Sequence, residues 1–387
     1  MAEVLTLTHP LDPVFDEHSH VLVLGSFPSP KSRELGFNYG HPQNRFWRVM
    51  AELFDEPLAN TNERKRDQVL RHHIALWDVV ASCTIEGASD TSIRDVVPND
   101  FSRILDVAPI EAVFCTGAKA AELYTRYCEA ATGIPCVKLP STSPANAATS
   151  FESLVEAYGA LLPHLHEYEP PTLDVSQVIE LEQTIAASGT SLAELMQRAG
   201  RALAHRVHAL APEGRVVVLC GSGNNGGDGW VAACELLDAG HELCLVTPRP
   251  AEELRAQPAH DAAVAAETYI RKQGARLLVN PAEEELKRKL EGAACVIDAI
   301  LGTGFSGADV KEPYATWIRL ANAAREQGAL LVSADVPSGL SAQTGEAAKP
   351  CIHADHTVTM IVSKPGLAHE ASGKVSIAPL AYIEPLI

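Results

Sequence analysis

The sequence predicts two α/β domains in tandem, each built on a mostly parallel sheet. Three observations predict this. The chain has 387 residues, more than one typical domain needs and enough for two. Apolar strand-like runs alternate with amphipathic helical stretches through both halves, the pattern of parallel strands joined by crossover helices. Between the halves, His164 to Thr172 carries Glu167, Glu169, Pro170 and Pro171, a polar stretch that stops helices. The expected domains are 1–168 and 172–387.

Composition narrows the class. Hydrophobic residues make up 46% and charged residues 21%, enough apolar material for two cores. No apolar run approaches a membrane span, and Met1 to Pro10 lacks the basic and apolar regions of a signal peptide, so a cytoplasmic protein with no membrane partner is expected. Nine cysteines without a Cys-x-x-Cys pair read as reduced core residues. A formal charge of −18 argues against a protein that coats polyanions nonspecifically.

In the first half, His20 to Ser26 reads as a strand ending in a turn, and Phe27-Pro28-Ser29-Pro30 continues that turn. Pro42 suits a first helical turn, with Phe46, Trp47 and Met50 on a buried face. Strands are expected at 75–80, 112–115 and 136–139, and helices near 101–106 and 118–129. In such folds the site lies beyond the carboxyl ends of the strands. The loops expected there are Gly25 to Pro30 with its extension to Asn44, Val80 to Ser92, and Pro140 to Asn146.

Four ordered motifs mark this half: Leu24-Gly25-Ser26-Phe27-Pro28-Ser29, Tyr39-Gly40-His41-Pro42-Gln43-Asn44-Arg45-Phe46-Trp47, Asp78-Val79-Val80-Ala81-Ser82-Cys83 and Leu139-Pro140-Ser141-Thr142-Ser143-Pro144-Ala145-Asn146. They resemble the uracil-DNA glycosylase superfamily, most closely its deoxyinosine (hypoxanthine-DNA) glycosylase branch. The resemblance implies a uracil-DNA-glycosylase-like α/β sandwich that acts on damaged DNA. A flipped base would lose its N-glycosidic bond, with hypoxanthine the expected base and uracil a second candidate. It implies Asn44 as the catalytic carboxamide orienting the attacking water. Ser26, Phe27, His41, Ser141, Ser143 and Asn146 would contact the base or the DNA. Phe27 stands where the most active relatives carry a water-activating Asp, and Leu139 replaces a His that steadies the departing base. Fast removal of uracil is therefore not expected. His41 is either a substitute donor for the leaving base or a cap before the helical proline. Ser141, Ser143 and Asn146 read as a phosphate grip, against the plainer reading of a Ser/Pro/Asn turn.

The second half opens with two amphipathic helices, 175–187 and 191–210, the latter capped by Ser191 with Glu194 as its box partner. Strands are expected at 216–220, 242–247, 276–279, 295–301, 330–335 and 356–362, giving a Rossmann-like doubly wound domain. After the first strand comes Gly221-Ser222-Gly223-Asn224-Asn225-Gly226-Gly227-Asp228-Gly229, whose amides can crowd around an anion at a helix start. The plain alternative is a glycine-rich turn that lets a helix pack closely on the sheet. Asn224, Asn225 and Asp228 add side-chain oxygens that a dinucleotide fingerprint does not need, and Asp228 suits a cation or a substrate hydroxyl. No acid ends the second strand at Thr247-Pro248-Arg249, which weighs against a nicotinamide oxidoreductase. The loops Asp298 to Gly304 and Asp335 to Gly339 end later strands, so Asn225, Asp298 and Ser338 could together bind a cation.

With Met196-Gln197-Arg198-Ala199-Gly200 and Lys364-Pro365-Gly366, these motifs resemble the NAD(P)H-hydrate epimerase family, also called the YjeF N-terminal domain family. The resemblance implies interconversion of the R and S forms of hydrated NADH and NADPH, with one potassium ion per domain. Asn225, Asp298 and Ser338 match its ion ligands. Asn224, Asn225, Gly226, Gly227 and Asp228 match substrate contacts, as do Gly302, Thr303, Gly304, Phe305, Ser306, Gly307 and Ala308. Asp335 matches both a substrate contact and the catalytic acid/base. Lys364-Pro365-Gly366 reads equally as a strand-end turn or a functional element. The family's dehydratase is expected as a separate protein, and a homodimer is among the assemblies admitted. The alternatives are an active epimerase beside a DNA-binding first domain of little catalytic power, or a non-catalytic nucleotide- or RNA-binding scaffold.

Overall fold

The computed structural model describes residues 4–86, 90–165, 170–383 and 386. The chain divides into two compact units, Met1–Glu169 and Pro170–Ile387. Position 168, expected as a boundary, lies outside the described residues, as do Glu167 and Glu169.

The first unit contains strands β1 (Val4–Thr8), β2 (Val21–Gly25), β3 (Ile74–Asp78), β4 (Val80–Glu86), β5 (Arg94–Pro98), β6 (Ala112–Thr116) and β7 (Cys136–Leu139). Four form a parallel sheet in the order β3-β2-β6-β7. Every residue of β2 and β3 is buried, so both faces are covered, which explains why these strands read as continuous apolar runs. The strand order reverses between β2 and β6, so the crevice opens beyond Gly25 and Thr116.

Two expectations are corrected. The stretch from Val80, expected as a loop to Ser92, is β4, the centre of a three-stranded sheet in which it pairs antiparallel with β1 and β5. Register shifts against β5 interrupt the two-residue alternation of β4, which hides the strand from a periodic reading. The helix expected to start at Pro42 begins at Phe46; residues 41–45 form a turn in which Asn44 N–H donates to the His41 carbonyl.

The second unit is one seven-stranded sheet: β8 (Arg215–Cys220), β9 (Glu242–Thr247), β10 (Arg276–Val279), β11 (Cys295–Ala299), β12 (Leu330–Ala334), β13 (His356–Met360) and β14 (Lys374–Ala378). Its order is β10-β9-β8-β11-β12-β13-β14, all parallel. Three strands stop earlier than expected, at Ala299, Ala334 and Met360, which leaves Asp335 in the loop. The short, half-polar edge strand β14 was not anticipated at all. The order reverses between β8 and β11, where the loops of Gly221 and Asp298 start.

The glycine stretch is mostly helix, because helix Asn224–Asp238 begins inside it. A Cβ on Gly221 would lie 1.8 Å from the Ile300 carbonyl oxygen, and one on Gly226 2.1 Å from that of Gly221. On Gly229 it would lie 2.7 Å from Ala299 Cβ. These glycines let backbone meet backbone at the switch point.

Candidate active sites

In the first unit a cleft of about 500 Å³ opens at the switch point, lined among others by Ser26, Phe27, Asn44, Asp78, Ser141 and Asn146. Phe27 is buried, and its ring meets the edge of His9 at 5.8 Å. The Asn44 side-chain oxygen accepts from Phe46 N–H at 2.9 Å, capping helix Phe46–Leu53. That leaves the amide N–H groups of Asn44 for the cleft, so it offers a donor there. His41 accepts from Gln43 N–H at 3.1 Å within the turn that precedes the helix, and it does not line the cleft.

The Ser/Pro/Asn loop is held from below. Arg45 donates to the carbonyls of Thr149 at 2.6 Å and Asn146 at 2.7 Å, an anchor the sequence reading passed over. Ser141 and Ser143 hydroxyl oxygens accept backbone N–H groups of Ser143 and Ala145, each at 3.3 Å. Each keeps its own O–H to donate outward. Asn146 spends its amide on the Ser141 carbonyl at 2.8 Å.

Two carboxylates in this cleft were not assigned roles from sequence. Asp78, last residue of β3, accepts from His9 at 2.9 Å, with side chains 9% and 3% exposed respectively. Asp90 accepts from the Ser26 hydroxyl at 2.6 Å. Its carboxyl is pushed above the usual range by the surrounding protein, and less by the Asp78 charge, while the bond from Ser26 opposes the shift. Neither sits in a recognisable spacing: one comes from the tip of an apolar strand and the other from a short turn beyond β4.

In the second unit Asp335 has a left-handed backbone, φ 63°, directly after β12. One of its oxygens accepts from Lys364 Nζ at 2.6 Å, Met360 N–H at 3.1 Å and Thr359 Oγ1 at 3.3 Å. Lys364 is only 2% exposed and donates also to Thr359 Oγ1 and the Met360 carbonyl. The Lys364 turn is thus packed directly against Asp335. Asp228, on the first turns of helix Asn224–Asp238, is raised well above the usual carboxylate range. Desolvation is the main cause, followed by the charges of Asp335 and Glu182, with Lys364 opposing. Glu182, from helix Val175–Ala187, is raised by desolvation first and then by Asp335. Helical periodicity gave no reason to single it out.

Asn225, Asp298 and Ser338 converge on the turn after β11. Asp298 is fully buried and accepts from the Ser333 hydroxyl at 2.9 Å and from both the hydroxyl and N–H of Ser338 at 2.5 and 2.8 Å. Burial raises its pKa against those hydrogen bonds. Asn225 donates to the Leu301 carbonyl at 3.0 Å, and Ser338 Oγ lies 3.2 Å from the same oxygen. Because that partner is an acceptor, the Asn225 amide nitrogen must face it, and its Oδ1 is a buried oxygen without a partner. An orphaned amide oxygen beside a carboxylate, a hydroxyl and a carbonyl fits a hard cation of low charge.

Gly226 and Gly227 are buried in helix packing, and Gly227 lies against Met196. Asn224 is exposed at the helix start. Gly302 packs on Asn225, Thr303 and Phe305 are half-buried, and Gly304, Ser306, Gly307 and Ala308 are exposed along the adjoining loop. The Ser222 turn is latched by Tyr314, whose hydroxyl accepts from Ser222 N–H and donates to its Oγ, both at 3.0 Å. Among the described residues no cluster of three or more His, Cys, Asp or Glu forms a metal site, and no helix is long and apolar enough to cross a membrane.

Residues 13–162 match the family model of the uracil DNA glycosylase superfamily, and residues 192–366 that of the YjeF-related protein N-terminus. An NAD(P)H-hydrate epimerase of Rhodopirellula baltica is 37% identical over 172 residues, covering 44% of this chain and 66% of its own length. A bifunctional NAD(P)H-hydrate repair enzyme of Leishmania braziliensis is 41% identical over 189 residues, 47% of this chain and 31% of its own. The chain therefore spans under two thirds of the first and about a third of the second. A solution structure from Methanosarcina acetivorans, provisionally named a uracil DNA glycosylase, is 30% identical with a TM-score of 0.36, covering 41% of this chain and 99% of that one.

Proposed function

From a chain whose first half resembles the uracil-DNA glycosylase superfamily and whose second half resembles the NAD(P)H-hydrate epimerases, we propose a bifunctional repair enzyme. The second unit interconverts the R and S forms of hydrated NADH and NADPH. The observation that carries this is Asp335, set in a left-handed turn with one oxygen fixed by buried Lys364 at 2.6 Å. Its other oxygen has no hydrogen-bond partner among the described residues. That oxygen is free to take and return a proton, or to steady positive charge on the nicotinamide ring, while a hydroxyl leaves and returns at the hydrated carbon. The N–H groups at the start of helix Asn224–Asp238 suit the pyrophosphate. Asn225 Oδ1, Asp298 and Ser338 would hold potassium, whose charge would offset that of the phosphates. The test is the rate of R-to-S conversion by the Asp335→Asn variant, coupled to an external dehydratase. A rate within a few-fold of wild type removes Asp335 from the mechanism.

The first unit hydrolyses the N-glycosidic bond of a deaminated base in DNA, with hypoxanthine preferred. Support comes from the cleft, where the Asn44 amide is left to donate to the departing base and the Ser141 and Ser143 hydroxyls remain available to phosphates. The test is base release from duplexes carrying hypoxanthine or uracil. No release from either leaves the first unit as a DNA-binding partner of the epimerase.

A further inference from the structure

Hydrolysis needs an acceptor for the proton of the attacking water, and the residues assigned to this cleft from sequence do not supply one. Phe27 has no such atom, and the Asn44 oxygen is occupied by Phe46 N–H at 2.9 Å. Asn44 therefore serves the leaving base, and the water must be handled elsewhere.

We propose that Asp78 is a catalytic residue of the first unit, the carboxylate that orients and deprotonates the water, with His9 as its positioning residue. The inference rests on the glycosylase reading of that unit. Three features of the site support it.

The first is the state of His9. Its Nδ1 accepts from Leu11 N–H at 3.1 Å, so that nitrogen carries no proton. The proton must be on Nε2, which lies 2.9 Å from Asp78 Oδ2. The pair is thus a neutral imidazole donating to a carboxylate. A neutral donor fixes the orientation of the carboxylate without cancelling its charge.

The second is the open oxygen. Asp78 Oδ1 has no hydrogen-bond partner among the described residues, and Asp78 lines the cleft although the residue is only 7% exposed. It lies against Gly25: a Cβ at that position would come within 2.2 Å of Oδ1 and 3.7 Å of the Tyr39 hydroxyl. Any side chain at 25 would cover the oxygen, so the glycine keeps it accessible.

The third is position. The His9 ring contacts Phe27 edge-on at 5.8 Å and Trp77 at 6.3 Å, so the dyad stands beside the residue that replaces the relatives' acid. The strand end beside the switch point is where an α/β sheet presents its reacting groups.

The step balances with water alone. A water proton passes to Asp78 Oδ1 as the water oxygen bonds to the sugar C1′. The C1′–N bond breaks ahead of that addition, its electron pair leaves on the base, and the base takes a proton from solvent. Asp78 then returns its proton to solvent. The fixed negative charge also steadies the cationic sugar while the bond breaks.

The experiment measures single-turnover base release by the full chain on hypoxanthine and uracil duplexes, alongside duplex affinity. Asp78→Asn keeps an acceptor for His9 Nε2–H and should fold. It should lose about a hundredfold or more on both bases while affinity changes less than about threefold. Asp78→Ala leaves room at the dyad, and added formate should restore part of its rate, which a structural defect would not allow. His9→Gln, which retains a donor, should stay within several-fold of wild type, while His9→Leu should fall by at least about tenfold in rate alone. Asp78→Asn activity within about threefold of wild type overturns the proposal and leaves the glycosylase reading intact. A fall on one base only also overturns it, by making Asp78 a contact of the base edge. A wild-type chain inactive on both duplexes ends the glycosylase reading and this proposal with it.

Discussion

Asp335 and Asp78 stand at corresponding places, each at the carboxyl end of a parallel strand, yet the chain restrains them by different means. Asp335 has one oxygen under a buried ammonium at 2.6 Å and a backbone forced to φ 63°. Asp78 is an ordinary strand residue held by a neutral imidazole at 2.9 Å. The first arrangement commits stability to the site, because a buried lysine and a strained turn each cost free energy when their partner is lost. The second commits less, since the imidazole is neutral and loss of Asp78 leaves no charge stranded. The difference predicts how far mutation at each site reaches into the fold.

The largest effect should come from Lys364→Ala, which strands Asp335 in a half-buried site already crowded by Asp228 and Glu182. Loss of about 3–5 kcal/mol from the second unit is expected, read by denaturant unfolding. A loss below about 1 kcal/mol would erase the contrast between the sites. Next is Asp335→Asn, expected to reduce epimerisation by about 10²- to 10⁴-fold with the fold intact. Asn44→Ala removes one donor to the departing base and should slow base release roughly a hundredfold, with DNA affinity retained in a gel-shift measurement.

Asp228→Asn sharpens the comparison through pH. In the folded chain Asp228 binds its proton more tightly than in the unfolded chain, chiefly through desolvation. Wild type therefore loses stability as pH rises from the ordinary carboxylate pKa towards the raised folded value. The amide variant, which cannot ionise, should gain on wild type between about pH 4 and pH 7, as melting temperatures at the two values would reveal. The smallest effect is Asn225→Ala, which removes the orphaned oxygen: a few-fold loss of epimerisation that added potassium partly restores. Identical potassium titrations for wild type and variant would exclude the ion from that oxygen.

Both α/β architectures were legible in the sequence, because strands buried on two faces must be apolar throughout and helices between them must be amphipathic. Strands β4 and β14 were not, since one is broken by register shifts and the other is a half-polar edge. The convergence of Asn225, Asp298 and Ser338 in the second unit was legible as well. These groups sit in motifs at strand ends that one parallel sheet brings together, so Asp298 and Ser338 meet at 2.5 Å although 40 residues separate them. Glu182 escaped because a glutamate on a helix resembles an ordinary surface residue, and Lys364 stood within a quoted motif whose local sequence did not point to Asp335 as its partner. The first site was readable only in part. Asp78 was quoted within a motif, but His9 comes from the segment after β1, 69 residues away, and nothing in its local sequence announces a partner. Asn44 was singled out and lines the cleft, whereas the direction of its amide depends on where the helix begins, and that start was misjudged by four residues.

The packing of Gly221, Gly226 and Gly229 bears on the thermodynamics of ligand capture. A helix start wedged against the backbone at Ile300, with its turn latched by Tyr314, has no slack to take up when a nucleotide arrives. On the proposed reading, binding there would order little of the protein, because the conformational entropy that a flexible phosphate loop surrenders has already been lost in folding. Calorimetry should accordingly give a heat-capacity change no larger than the apolar surface covered by the ligand requires, with no added contribution from a loop folding around it.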